Sequence, residues 1–429
     1  MSLADAPNPR LVPAAIARRN FAVLWTSNFI TAIGMMGFIP LIPLFLVDLG
    51  VPEGPGQRIW SGVLTAAAPL MAAFMGPFWG SLGDRVGRKP MIMRANLAIV
   101  IFVGAMAYVR SPWELLALRL GQGVFSGYMA PAMTLVSVAT PIDRQSRVVA
   151  WLQTAILFGA SLGPLMGGWL SDGSGMRSVF LVSAGMSALA TIMVGLWVQE
   201  KRPDSRDLTA LTGPISLIKD VFADLRGLMA NRGLAQVLMG VFAVRFGSSL
   251  VEPILALYIM GLQGYEAGTV GLTTGLVFSG HALATLLVTP LWGRMGDHLG
   301  YRKAFTICAG GGAMCFLGQA WVESVTGLFV LRFLSGAFLA GIVPAAFSAA
   351  SRYSSESRRG GAYGLTFSSV ILARALGLMA GGWLAAVIGL APLFVISAVL
   401  MGTAMVLGRR QTDHGEPTPS SPQPAAERG

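Results

Sequence analysis

The chain has 429 residues, 54% of them hydrophobic and only 12% charged, with a formal net charge of +11. Its mean hydropathy of +0.65 is far above that of a soluble globule, which excludes a water-soluble enzyme or binding domain and points to an integral membrane protein. The excess of bases would suit a nucleic-acid partner only if the bases clustered on one surface, and they do not.

Apolar runs of about 20 residues, enough to cross a hydrocarbon core of roughly 30 Å, fall at residues 20–47, 60–82, 90–109, 113–139, 148–171, 178–198, 234–261, 268–293, 303–322, 326–350, 361–387 and 390–408. The pattern predicts an all-α protein with twelve transmembrane helices. Arg18 and Arg19 precede the first run, but that run is longer than a signal-peptide core and lacks a small-residue cleavage site, so it is expected to remain as the first span. Most of the 31 Lys and Arg lie in the N-terminus, every second loop and the tail, while Arg58, Arg110 and Arg177 fall on the opposite side. This alternation follows the positive-inside rule and predicts cytoplasmic termini, as in a multi-pass protein of the cytoplasmic (inner) membrane. The charge reports topology, and no nucleic acid is expected as a partner.

Adding 213 to a residue number in the first half repeatedly lands on its twin in the second. Pro40 meets Pro253, Gly80 meets Gly293, Asp84 meets Asp297, Arg119 meets Arg332 and Gly123 meets Gly336. Later the offset is 214, where "GGW" at 167–169 meets "GGW" at 381–383. Such register implies two copies of a six-helix unit. The expected organisation is a bundle over 1–198, a cytoplasmic linker over 199–233, a second bundle over 234–408, and a Pro-rich, polar, disordered tail over 409–429.

Three motifs carry a resemblance. "GSLGDRVGRK" (80–89) resembles the signature between the second and third spans of the major facilitator superfamily, and "LRLGQG" (118–123) resembles its fourth-span arginine motif. "GASLGPLMGG" (159–168) looks like the fifth-span motif of the twelve-helix drug:proton antiporters. The resemblance covers about residues 20 to 408. It implies a carrier whose two bundles rock around a central site, and it implies a role for Arg119 in proton coupling.

The motifs also have a physical reading of their own. Asp84 is expected at the C-terminal end of the second span, where the helix dipole already presents partial negative charge. It therefore needs compensation from Arg88 one turn on, or from the N-terminus of the eleventh span near Gly360. Gly80, Gly83 and Gly87 allow a tight turn and close approach, while Arg85, Arg88 and Lys89 anchor topology, so the stretch is expected to act as a cytoplasmic gate. The second copy keeps Asp297, Gly300, Arg302 and Lys303 but has His298 and an inserted Tyr301. Gly159, Gly163 and Gly167 are four apart, with Gly168 beside the last, which makes a groove for a neighbouring helix. Pro164 lacks an N–H and is expected to bend the fifth span. Gly159, Ser161 and Gly163 also spell a hydrolase elbow, but inside an apolar span and not at a strand-to-helix turn.

Of the 20 acids, Glu252 is the one placed well inside a span, and it is the expected proton site beside Arg119. Arg245 lies about 10 Å along the same helix, so Arg374 in the eleventh span is the better partner. Arg245 and Arg374 against one Glu252 favour neutral, zwitterionic or anionic compounds as much as cations. Asn28, Met35, Met36, Phe38 and Gln122 complete the expected substrate cavity, since flexible Met and aromatic surfaces suit varied ligands. His281 is more naturally a helix-linking hydrogen bond than a proton carrier. Cys308 and Cys315 are too far apart on one helix for a disulfide. No metal spacing, P-loop or dinucleotide fingerprint occurs, so no cofactor is expected and an ion gradient should supply the energy. The expected partners are a small-molecule substrate, protons and the lipid bilayer, and the expected state is a monomer. The resulting expectation is a proton-coupled exporter of small amphipathic compounds; the rivals are an importer on the same fold and a non-transporting receptor.

Overall fold

The computed structural model describes residues 13–200, 232–264, 268–353 and 359–410, with the side chains of Asp84, Arg85, Asp297 and Gly360 among those outside the description. Residues 201–231 of the expected linker and the tail from 411 also lie outside it. The described residues are helical, with no strand.

Proline and glycine set the breaks. α1 (Ala14–Phe38) passes through a 3-10 turn, Ile39–Leu41, into α2 (Ile42–Asp48). Pro40 and Pro43 withhold the N–H groups that would continue a straight helix. The second copy does the same at Pro253, where α9 (Arg232–Val251) turns through Glu252–Ile254 into α10 (Leu255–Gln263). α3 (Pro55–Val86) meets α4 (Arg88–Met106) at Gly87, whose φ of 107 favours glycine. Their twins α11 (Val270–Leu299) and α12 (Tyr301–Gln319) meet at Gly300, with φ of 80. Ser111 caps α5 (Pro112–Val124), and its twin Ser324 caps α13 (Val325–Leu339). α6 (Met129–Val138), α7 (Ile142–Ser174) and α8 (Met176–Trp197) complete the first copy. α14 (Ile342–Tyr353), α15 (Arg359–Ile388) and α16 (Ala391–Arg410) complete the second.

Among the described residues ten helical stretches are long and apolar enough to cross a membrane. Large apolar side chains point outward as well as inward, among them Phe74, Leu196 and Met314 at 68%, 69% and 75% exposure, as expected where lipid is the outer solvent. Within the first copy α1 packs on α7 and α8, and α4 on α8; within the second, α9 packs on α15 and α16, and α12 on α16. The copies meet along α7 with α11 and α3 with α15.

That meeting is confined to one end. A Cβ on Gly62 of α3 would stand 2.8 Å from the Gly382 Cα of α15, and a Cβ on Gly168 of α7 would strike the Gly271 carbonyl of α11. Arg58 donates to the Ala385 carbonyl at 3.0 Å. At the far ends of the same helices, Gly76, Gly80, Gly293 and Gly296 have open space around them. The two copies are shut at the end that holds Arg58 and parted at the end that holds Gly80.

Candidate functional site

Between the copies lies a cavity of about 150 Å³. The second copy supplies its charge: Arg245, Glu252, His281, Arg332 and Arg374. Met36, Ile39, Pro40, Thr65, Ala160 and Pro164 come from the first. Glu252 sits in the 3-10 turn beside Pro253, where the broken helix exposes its side chain to the opening, and its Oε2 lies 3.0 Å from Arg374 Nη2. The expected cross-helix partner is therefore the observed one.

Arg119 and Arg332, twins in sequence, have different surroundings for a traceable reason. Arg119 is 1% exposed and donates to Leu64 O at 3.0 Å, Thr65 O at 3.3 Å and Gln122 Oε1 at 2.8 Å. Pro69 has no N–H, so the Thr65 carbonyl lacks its ordinary helical donor and takes the guanidinium instead. In the second copy the residue matching Pro69 is Ala282 and the one matching Gln122 is Ser335. The carbonyl equivalent to Thr65 keeps its helical donor, and Arg332 has a buried Nε without an acceptor. Arg245 Nε is likewise buried and unaccepted. Among the described residues neither arginine has an acid within ion-pair distance; the carboxylate of Glu252 is taken by Arg374.

His281 approaches the Arg332 carbonyl at 3.1 Å and Ser335 Oγ at 3.2 Å through Nδ1. A carbonyl only accepts, so Nδ1 carries a proton and donates it in this contact. This is the helix-linking role expected for it. Cys308 and Cys315 are free and buried. Among the described residues no group of three His, Cys, Asp or Glu could hold a metal ion.

The fifth-span motif uses two faces. Gly159, Gly163 and Gly167 face α1, where added Cβ atoms would meet Ala32, the Ile33 carbonyl and the Gly37 carbonyl. Pro164 and Gly168 face α11 across the copies: a Cβ on Gly275 would strike the Pro164 carbonyl, and Leu165 N donates to Ser279 Oγ at 3.1 Å. One turn on, Asp172 accepts from Gly271 N at 2.9 Å and Leu272 N at 2.7 Å, capping the 30-residue α11. Asp172 was not foreseen, although an acid one turn beyond the motif, facing a helix start, is what a closed end would need. Ser161 lies within continuous α7 and donates to Leu157 O, which is not the setting of a nucleophile elbow.

The other expected cavity residues lie elsewhere. Of the first-copy candidates only Met36 is on the wall. Phe38 is fully buried against Phe180, Gln122 donates to Met35 Sδ at 3.1 Å, and Asn28 donates to Met129 Sδ at 3.5 Å. At the parted end, Gly83 lies against Met91. Arg88 N and Lys89 N both donate to Glu200 at 2.8 Å, so this acid beyond α8 caps α4. Asp84, Arg85 and Asp297, with the expected contact at Gly360, lie outside the described side chains.

Two pseudo-symmetric helical bundles closed at one end over a charged cavity define a membrane carrier of the alternating-access type. A family model, the Major Facilitator Superfamily, matches residues 24–266 and 237–428, and the chain belongs to that family. The Multidrug resistance protein MdtG of Proteus mirabilis is 30% identical over 328 residues, 76% of this chain and 79% of the relative. MdtG of Dickeya zeae is 28% identical over 385 residues, 89% and 91% of the two chains. Among solved structures, an inward-facing, unoccupied bacterial homologue of the human lysosomal transporter Spinster aligns with a TM-score of 0.74 at 14% identity, covering 93% of this chain and 98% of the other. The human organic anion transporter MFSD10 aligns with a TM-score of 0.64 at 19% identity, covering 92% and 100%. These two likenesses concern the fold.

Proposed function

We propose that the chain is a proton-driven exporter of small amphipathic compounds, with anions and zwitterions among its preferred substrates. The observation that carries the substrate class is the cavity itself, where three guanidinium groups face one carboxylate and two of them keep buried donors without acceptors. Such donors are costly in a low-dielectric site until an acceptor arrives. A ligand carboxylate or phosphonate would supply acceptors to Arg245 and Arg332 and compete with Glu252 for Arg374. Glu252, once released, takes the proton. The multidrug-resistance relatives support export, and the glycine and proline seam between α7 and α11 supports a closed state that prevents leak. In this reading Arg119 is a positioning residue for α3 and α5, and the Gly80–Lys89 stretch is the cytoplasmic gate, with Asp84 and Asp297 as its acids.

The twelve predicted spans follow if α5 with α6, and α12, also cross the bilayer. Their twins α13 with α14, and α4, are among the ten apolar stretches. Cytoplasmic termini, the bundle limits at 198 and 234, the inner membrane and a monomeric carrier complete the proposal. The structure then corresponds to an inward-facing state, parted at the Gly80 end.

The test is uptake into inverted membrane vesicles with an inside-acid gradient. Labelled anionic amphiphiles should accumulate in vesicles with the parent protein, and both Glu252→Gln and Arg245→Gln should abolish it. Cations accumulated in preference to anions would overturn the substrate class. Accumulation undiminished in Glu252→Gln would overturn the proton role.

A further inference from the structure

A second, larger hollow opens on the outside of the first bundle, away from the central cavity. Its volume is about 650 Å³, and Pro90, Met93, Leu97, Ile101 and Phe102 of α4 form its floor, with Phe125 and Thr191 beside them. Leu97 and Ile101 are 49% and 57% exposed. From Pro90 to Phe102 the groove runs about 18 Å along α4, close to half of a roughly 30 Å hydrocarbon core. It is therefore the length of one leaflet's acyl chain.

The charges on its wall are Lys89 and Arg94, both toward one end. Lys89 Nζ donates to Gly195 O at 2.8 Å. Arg94 lies over the Trp79 ring at 3.5 Å and donates through Nη2 to Ser126 O at 3.1 Å, while its Nε has no acceptor. Neither has a carboxylate within ion-pair distance among the described residues. Glu200 gives both oxygens to the backbone N–H groups of Arg88 and Lys89. Topology alone does not call for Arg94, because it stands six residues inside α4, about 9 Å from its start. Its twin in the second copy is Ile307. Trp79 and the Ser126 carbonyl hold the guanidinium without neutralising it, and the counter-charge that fits a cation at that depth beside an apolar groove is an anion with a hydrocarbon tail.

We infer that this groove binds an anionic glycerophospholipid, with one acyl chain along Leu97–Phe102 and the phosphate between Lys89 and Arg94. The lipid comes from the leaflet at the Gly83–Lys89 end of the molecule. The site is separate from the substrate cavity and does not depend on what the cavity exports.

The full chain is purified in a neutral detergent and stripped of lipid. Phosphatidylglycerol or phosphatidylcholine with identical acyl chains is then added back, and lipid retention is counted by native mass spectrometry beside thermal unfolding. Phosphatidylglycerol should be retained at one copy per chain and raise the unfolding midpoint by several degrees more than phosphatidylcholine. Lys89→Gln with Arg94→Gln should erase that difference. Leu97→Trp, which fills the groove and leaves both charges, should lower retention of the lipid and serves if the double variant does not fold. Equal retention of the two lipids by the parent, or a difference that survives in both variants, overturns the inference. Equal stabilisation by soluble glycerol phosphate overturns it as well, since the site would then take a free phosphate.

Discussion

Replacing Arg119 by Met separates anchoring from proton chemistry. The substitution keeps a long flexible side chain and removes every donor. Leu64 O retains its own helical N–H, but Thr65 O has none because of Pro69, and Gln122 Oε1 loses its 2.8 Å donor. Two buried acceptors are then orphaned, at about 1–3 kcal/mol each, so Arg119→Met should destabilise the fold by roughly 2–6 kcal/mol. Arg332→Met is the internal control: its Nε has no acceptor and the residue matching Pro69 is Ala282, so its removal should cost far less. Thermal unfolding of both purified variants measures the contrast, with gradient-driven transport recorded alongside. A folded Arg119→Met with a parental midpoint and no transport would refute the anchoring role and return Arg119 to proton coupling. Equal losses of stability in the two variants would refute the part assigned to Pro69.

Asp172→Asn weakens the acceptor that ties the start of α11 to α7; labelling of Ser279→Cys by an impermeant maleimide from the Arg58 end should then rise several-fold. Gly62→Val forces side-chain atoms into a space where even a Cβ stands 2.8 Å from Gly382 Cα. It should keep the protein folded but hold the Arg58 end open, which spin-label distances between α3 and α15 would show. Thr31 is fully buried and its hydroxyl has no partner, while its twin is Val244. Thr31→Val should therefore stabilise by about 1 kcal/mol, read as a higher unfolding midpoint.

The helix pattern, the duplication and the Glu252–Arg374 pair were legible because each rests on a local signal: apolar run length, repeat register, and one acid among arginines at matching depth. The cavity wall was less legible. Met, Asn and aromatic residues on α1 look alike in sequence whether they face a cavity or a neighbouring helix, and only the rotation of α1 against α7 and α8 decides. Phe38 and Asn28 thus fell into the packed interior while Met36 reached the cavity. Glu200 and Asp172 were missed for a related reason: their partners are backbone N–H groups 111 and 100 residues away, and backbone donors carry no sequence signature.

The duplicated frame carries its chemistry on one side only. Applying the offsets to the cavity residues pairs Arg245 with Ala32, Glu252 with Ile39, His281 with Ala68 and Arg374 with Ala160. Of the five ionisable residues on the wall, only Arg332 has a polar twin, and that twin, Arg119, is sealed by neutral acceptors. The first copy in turn holds what the second lacks, since Pro164 and Gly159 meet Leu378 and Ala373. A small residue at Ala32 is what the close packing of α1 and α7 requires: an arginine there would collide with α7 at Gly159, where even an added Cβ would strike the Ala32 side chain. The α1–α7 contact therefore leaves no room for a bulky charge at Ala32. In the second copy α15 does both, meeting Gly62 at Gly382 and carrying Arg374 to the cavity wall about two turns away, so seal and charge share one helix at different depths.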